Sequence, residues 1–148
     1  MNRTIKHSFF YSHKPEAVWE FLTNSELISQ WLMPNDFQPI IGHEFTFRIK
    51  PIPDFEFDGI IYCKVTEIIP FKKLSYAWKA GPGDGSTNLD SVVNWVLSEK
   101  ENGTELLLTH SGLMTNVNIY NAMNKGWFDN MKKIVELIKE GAHGTTKS

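Results

Sequence analysis

Apolar and polar positions alternate from the start of the chain. Ile5, His7, Phe9 and Tyr11 occupy every second position of residues 3–12, the period of a half-buried strand. The period then lengthens. Pro15 stands just inside a helix start, where its missing N–H costs nothing. Ala17, Val18, Phe21 and Leu22 recur at helical spacing with Trp19 beside them. Asn24-Ser25-Glu26 opens a second short helix carrying Leu27, Ile28, Trp31 and Leu32, which Pro34 closes. From Gly42 the period becomes two. Phe45, Phe47 and Ile49 alternate with polar residues, and strands follow over Gly59–Ile69, Leu74–Trp78, around Val93, Trp95 and Leu97, and through Thr104, Leu106, Leu108 and His110. Gly81-Pro-Gly-Asp-Gly-Ser-Thr is a loop, and Glu101-Asn-Gly103-Thr fits a tight hairpin. Helical spacing returns in Tyr120, Met123, Trp127, Met131, Ile134 and Ile138, a stripe about five turns long, with Gly141 as its expected C-cap.

Hairpin-linked strands need no crossover helices, so the sheet is expected to be antiparallel, and the long amphipathic helix is the element long enough to cover its oily face. The order predicts an α+β helix-grip architecture: a curved antiparallel sheet wrapped around a long C-terminal helix, with two short helices after the first strand. No repeat or linker divides the chain. Residues 1–143 are read as one domain and residues 144–148 as a polar, disordered tail.

Composition narrows the function classes. The chain has 148 residues and a net charge of −2, its only arginines being Arg3 and Arg48. That is a poor footprint for nucleic acid, which calls for clustered cations. A single cysteine, Cys63, excludes an internal disulfide and a multi-cysteine zinc site. No apolar signal core or membrane-length run is present, so a cytoplasmic protein without membrane insertion is expected. Ten Phe, five Trp and four Tyr, 13% of the chain, mean either a bulky core or walls around something apolar.

Several short pieces in fixed order resemble one family: Pro15-Glu16-x-Val18-Trp19, Gln30-Trp31, Gly42-x-x-Phe45-x-Phe47, Gly59, Val65-Thr66-Glu67-Ile68-x-Pro70, Leu74-x-Tyr76-x-Trp78 and Ser91-x-Val93. Gly103-Thr104-x-Leu106-x-Leu108-x-His110-Ser111-Gly112 and Gly126-Trp127 complete the set. Together, over about residues 5–140, they resemble the SRPBCC superfamily of START-like and birch-pollen-allergen-like helix-grip domains. Within it they are most similar to the group named for the activator of the heat-shock-protein ATPase. The resemblance implies a sheet gripping a helix around an apolar cavity. Members bind lipids, polyketides or other hydrophobic molecules, a few catalyse cyclisation or hydrolysis, and some act as co-chaperones. Fold alone does not choose among these.

Other motifs carry less. Asp54-Phe-Glu56-Phe-Asp58-Gly59 imitates the first half of a calcium loop, but position 12, where a bidentate carboxylate is required, is Val65. Phe55 and Phe57 alternate as in a strand, so the acids are read as solvated. The Gly81 loop runs into a strand rather than a helix, which excludes a phosphate cradle. His7, His13, His43, His110 and His143 lack metal-site spacing, and no metal or cofactor is expected. Ser91 and Ser111 lie outside any nucleophile elbow, and Ser111 and His110, as strand neighbours, point to opposite faces. Cys63 is expected to be a small buried hydrophobe. His110 has two readings, a core histidine with satisfied nitrogens or a cavity residue orienting a ligand.

The leading expectation is a carrier or sensor of a small hydrophobic, lipid-like or aromatic molecule, not an enzyme. Phe45, Phe47, Tyr76, Trp78 and Trp95 would line the sheet side, Trp127 and Met131 the helix side, Trp31 would serve as a lid, and His110 would supply polarity. The opposing reading is a filled core. Two further alternatives are a cavity cyclase or hydrolase using His110 and Tyr76, and an interaction domain stimulating a heat-shock ATPase. A homodimer through an exposed strand edge is a further option.

Overall fold

Six antiparallel strands form one sheet in the order β1-β6-β5-β4-β3-β2. The computed structural model describes residues 2–115 and 117–139, so the expected cap Gly141, His143 and the 144–148 tail lie outside the described residues. The strands are β1 (Asn2–Tyr11), β2 (Glu44–Arg48), β3 (Ile60–Ile69), β4 (Lys73–Ala80), β5 (Leu89–Lys100) and β6 (Gly103–Met114). Helices α1 (Pro15–Thr23) and α2 (Ser25–Trp31) follow β1, and α3 (Val117–Lys139) follows β6. This is the helix-grip arrangement that the periodicity predicts.

Local chemistry explains the boundaries. Pro15 opens α1. Asn24 caps α2, its Oδ1 accepting from the N–H groups of Glu26 at 3.0 Å and Leu27 at 3.3 Å. The helix stops at Trp31, three residues before Pro34: Leu32 has already left helical geometry at φ −124° and ψ −86°, and the proline disfavours the helical region at Met33. The β5–β6 hairpin turns tightly, with Lys100 paired to Gly103. The 53–59 region corrects the expected strand alternation. Pro53–Phe55 is one 3₁₀ turn, Glu56 adopts a left-handed conformation, and the Phe57 N–H returns to the Ile52 carbonyl at 3.2 Å. Gly59 holds this loop against the sheet. A Cβ there would stand 2.4 Å from the Ile49 carbonyl oxygen, and its φ of +91° is one that favours glycine.

Strands β1 and β2 are the sheet edges. The segment after α2 covers β2, with the Arg48 N–H donating to the Pro34 carbonyl and the Thr46 N–H to Asp36 Oδ1. On the other side β1 holds α3 along one flank. Tyr120 Oη donates to the Thr4 carbonyl, His7 Nε2 bonds the Asn124 carbonyl, and Tyr11 Oη donates to the Met131 carbonyl at 3.1 Å. The lower part of the predicted stripe, Trp127, Met131, Ile134 and Ile138, is buried, whereas Tyr120 and Met123 near its start are only half-buried. The helix therefore packs down at its C-terminal end and stands off the sheet at its N-terminal end.

Candidate ligand-binding site

That standing-off leaves a cavity of about 490 Å³. Its helix wall is a stripe at helical spacing, Ile119, Ala122, Gly126 and Asn130, with Met123 and Trp127 beside it. The sheet contributes Ile61, Trp78, Ala80 and Leu89, and the segment just after α2 contributes Leu32 and Met33. The loop held by Gly59 closes the remaining side with Ile49, Ile52, Phe55 and Phe57. Asp54, Glu56, Asn88 and Thr115 supply polarity. A Cβ added to Gly126 would meet nothing within 4 Å, so the missing side chain leaves open space in the wall. Volume and chemistry fall within the range of small-molecule pockets.

Trp78 and Trp127, their ring centroids 5.3 Å apart, form the floor. Behind them lies His110, fully buried and in edge contact with both indoles. The hydrogen bonds fix its tautomer. An indole N–H can only donate, so the 3.0 Å contact from Trp127 Nε1 makes His110 Nδ1 an acceptor. The ring proton is then on Nε2, which donates to Ser91 Oγ at 2.8 Å, and that hydroxyl donates to the Trp78 carbonyl at 2.9 Å. Burial lowers the His110 pKa to about 3, so the ring is neutral near pH 7. The network ties both floor residues to one imidazole.

The nine residues expected at the site divide sharply. Trp78 and Trp127 line the cavity. Phe45, Phe47, Tyr76 and Trp95 instead interlock in the packed half, joined there by Phe37: Phe37 meets Phe45 at 5.0 Å, Phe45 meets Tyr76 at 5.3 Å, and Trp95 meets Trp127 at 5.5 Å. Met131 is buried beneath α3. Trp31 is not a lid. It is 1% exposed, its Nε1–H donates to the Phe21 carbonyl at 2.7 Å, and its ring meets Trp95 edge-on at 5.8 Å. The indole N–H finds its partner in the core, and that holds the ring inside. His110 does not orient a ligand directly, and its pairing with Tyr76 is not assembled. Both imidazole nitrogens are occupied, while Tyr76 Oη accepts from Trp95 Nε1 at 3.0 Å and burial raises its pKa.

Residues 12–139 match the family described as "Activator of Hsp90 ATPase homolog 1-like protein". The chain belongs to that family. Protein MLL2253 from Mesorhizobium loti is similar at 33% identity with a TM-score of 0.82, over 93% of this chain and 98% of that one. Bacillus halodurans protein BH1534 is similar at 29% identity and a TM-score of 0.69, over 87% and 91% of the two chains. The Aha1 dimer from Colwellia psychrerythraea shares the fold at 20% identity and a TM-score of 0.73, over 91% and 95%. No curated protein matches the chain.

In this member of the family, pattern reasoning misses the loop wall and the small-residue face of α3. Two signals mark them. Ile49, Ile52, Phe55 and Phe57 are apolar residues in a proline-interrupted segment, which must be covered or must cover something. Gly126 interrupts an otherwise amphipathic helix, at a cost that asks for a reason. Among the described residues no group of His, Cys, Asp and Glu could hold a metal ion, and no helix is long and apolar enough to cross a membrane.

Proposed function

We propose that this chain binds a small apolar molecule in the cavity beneath the N-terminal half of α3, as a carrier or sensor. The observation that carries the reading is a space of about 490 Å³ whose indole floor is already fixed by the His110–Ser91 network. A site held in place before the guest arrives avoids much of the ordering cost of association. Burial of apolar guest surface then drives binding at roughly 25 cal/mol per Å², less the remaining costs.

Titration with the neutral dye Nile red tests this. Saturable enhancement of dye emission is expected, and Gly126→Phe, which projects a ring into the open space, should abolish it while the protein stays folded by circular dichroism. Absence of saturable binding by Nile red and a panel of neutral apolar compounds overturns the reading. So does undiminished binding by the folded variant.

The family description favours a second reading, stimulation of a heat-shock ATPase. Stimulation of Hsp90 turnover that persists in Gly126→Phe would make the cavity incidental to it. The Colwellia relative is a dimer. A second copy of this chain would pair along β1, since the backbone of β2 is already engaged, and sedimentation equilibrium reports that state.

A further inference from the structure

Resting on the ligand-binding reading, we infer that the cavity selects guests bearing a protonated amine over guests bearing a carboxylate. The site is the cavity itself, and its charges decide which guest it takes. Among the described lining residues there is no Lys, Arg or His, and the only charged side chains are Asp54 and Glu56, both on the loop that forms one wall. Lys125 on α3 is held by Asp129 Oδ2 at 2.6 Å, and Asn88 Nδ2 donates to the Glu56 carbonyl at 3.0 Å.

A fatty acid or aromatic acid in this space would leave its carboxylate without a counter-charge, and withdrawing an unpaired anion from water is costly. An ammonium meets the reverse situation. Its head lies near the two carboxylates at the exposed rim, whose charge is opposite to its own. Both acids are exposed, so the effect is moderate and weakens with salt. Apolar burial holds the guest, and the rim sorts guests by charge.

Three compounds with one apolar body test the inference: 2-(1-naphthyl)ethylamine, 2-(1-naphthyl)ethanol and 1-naphthylacetate, each displacing Nile red near neutral pH. At about 20 mM salt the amine is expected to bind about tenfold more tightly than the acid, with the alcohol between, and the gap should shrink to about twofold at about 1 M salt. In the Asp54→Asn/Glu56→Gln double variant the amine should lose its advantage over the alcohol, the ratio of the two affinities falling to about one. An acid that binds as tightly as the alcohol overturns the inference, as does an amine preference surviving in the double variant. Failure of all three to displace bound dye also overturns it. Failure of Nile red itself to bind overturns the parent reading instead.

Discussion

The two ends of the space between sheet and helix are built from the same residue types and reach opposite outcomes. At the packed end Trp31, Trp95, Tyr76, Phe45, Phe47 and Phe37 meet edge-on, and the indole N–H groups of Trp31 and Trp95 are consumed by the Phe21 carbonyl and Tyr76 Oη. At the open end Trp78 and Trp127 present ring surface to a cavity because α3 offers Ala122 and Gly126 where further bulk would close it. Aromatic content therefore does not mark a binding site. What marks it is where small residues on one element face large ones on another. Substitutions in the two ends should separate accordingly, with stability responding at one and occupancy at the other.

The largest effect is expected from Trp95→Ala. The ring is completely buried and donates to Tyr76 Oη. Its loss should cost about 3–5 kcal/mol for the cavity created, and more for the stranded hydroxyl. Urea denaturation should show a much lower midpoint or no folded state. A loss under 1 kcal/mol would mean that the packed end is not packed.

A second test concerns the boundary between the ends. His110 is held neutral, with a pKa lowered to about 3 by burial, against a usual value of 6.5. The unfolded chain therefore takes up a proton that the folded chain refuses. This contribution to stability is fully present above pH 6.5, falls as the pH drops, and levels off near pH 3, amounting to a few kcal/mol. His110→Gln keeps an acceptor for Trp127 and a donor for Ser91, and should flatten Tm against pH across that window. An equally steep profile in the variant would assign the acid sensitivity to other groups.

Trp31→Phe should cost less. It removes the 2.7 Å bond to the Phe21 carbonyl while retaining most of the ring's packing. A loss of about 1–2 kcal/mol is expected, with Nile red affinity unchanged. A several-fold change in affinity at constant stability would restore Trp31 as a lid.

The sequence makes the fold legible because each element carries its own period, and alternate positions such as Phe45 and Phe47 or Leu106 and Leu108 must share a face. The site is less legible for a physical reason. Periodicity tells which face a residue occupies but not how far the opposite layer stands from it. Phe45 and Trp78 both belong to inward faces of the sheet, yet Phe45 is covered by Phe37 and Trp78 borders the cavity. The partner of His110 was hidden likewise. Ser91 is remote along the chain and comes within reach only through the pairing of β5 with β6, which sets Val93 opposite His110. The adjacent Ser111 points away.

Gly126→Ala gives the smallest expected effect and the finest discrimination. In an ordinary packed helix, replacing an interior glycine forces a methyl into a neighbour and destabilises. Here the added Cβ finds nothing within 4 Å, so the helix-propensity term acts alone and the variant should gain up to about 1 kcal/mol. The methyl also enters the cavity, so affinity for a guest that fills it should fall severalfold while affinity for a smaller one changes little. Higher Tm with weaker binding of the bulkier guest would show glycine retained at the expense of stability to keep the space open. A gain in Tm with no change for any guest would place the bound molecule away from this wall, nearer the loop of residues 49–57.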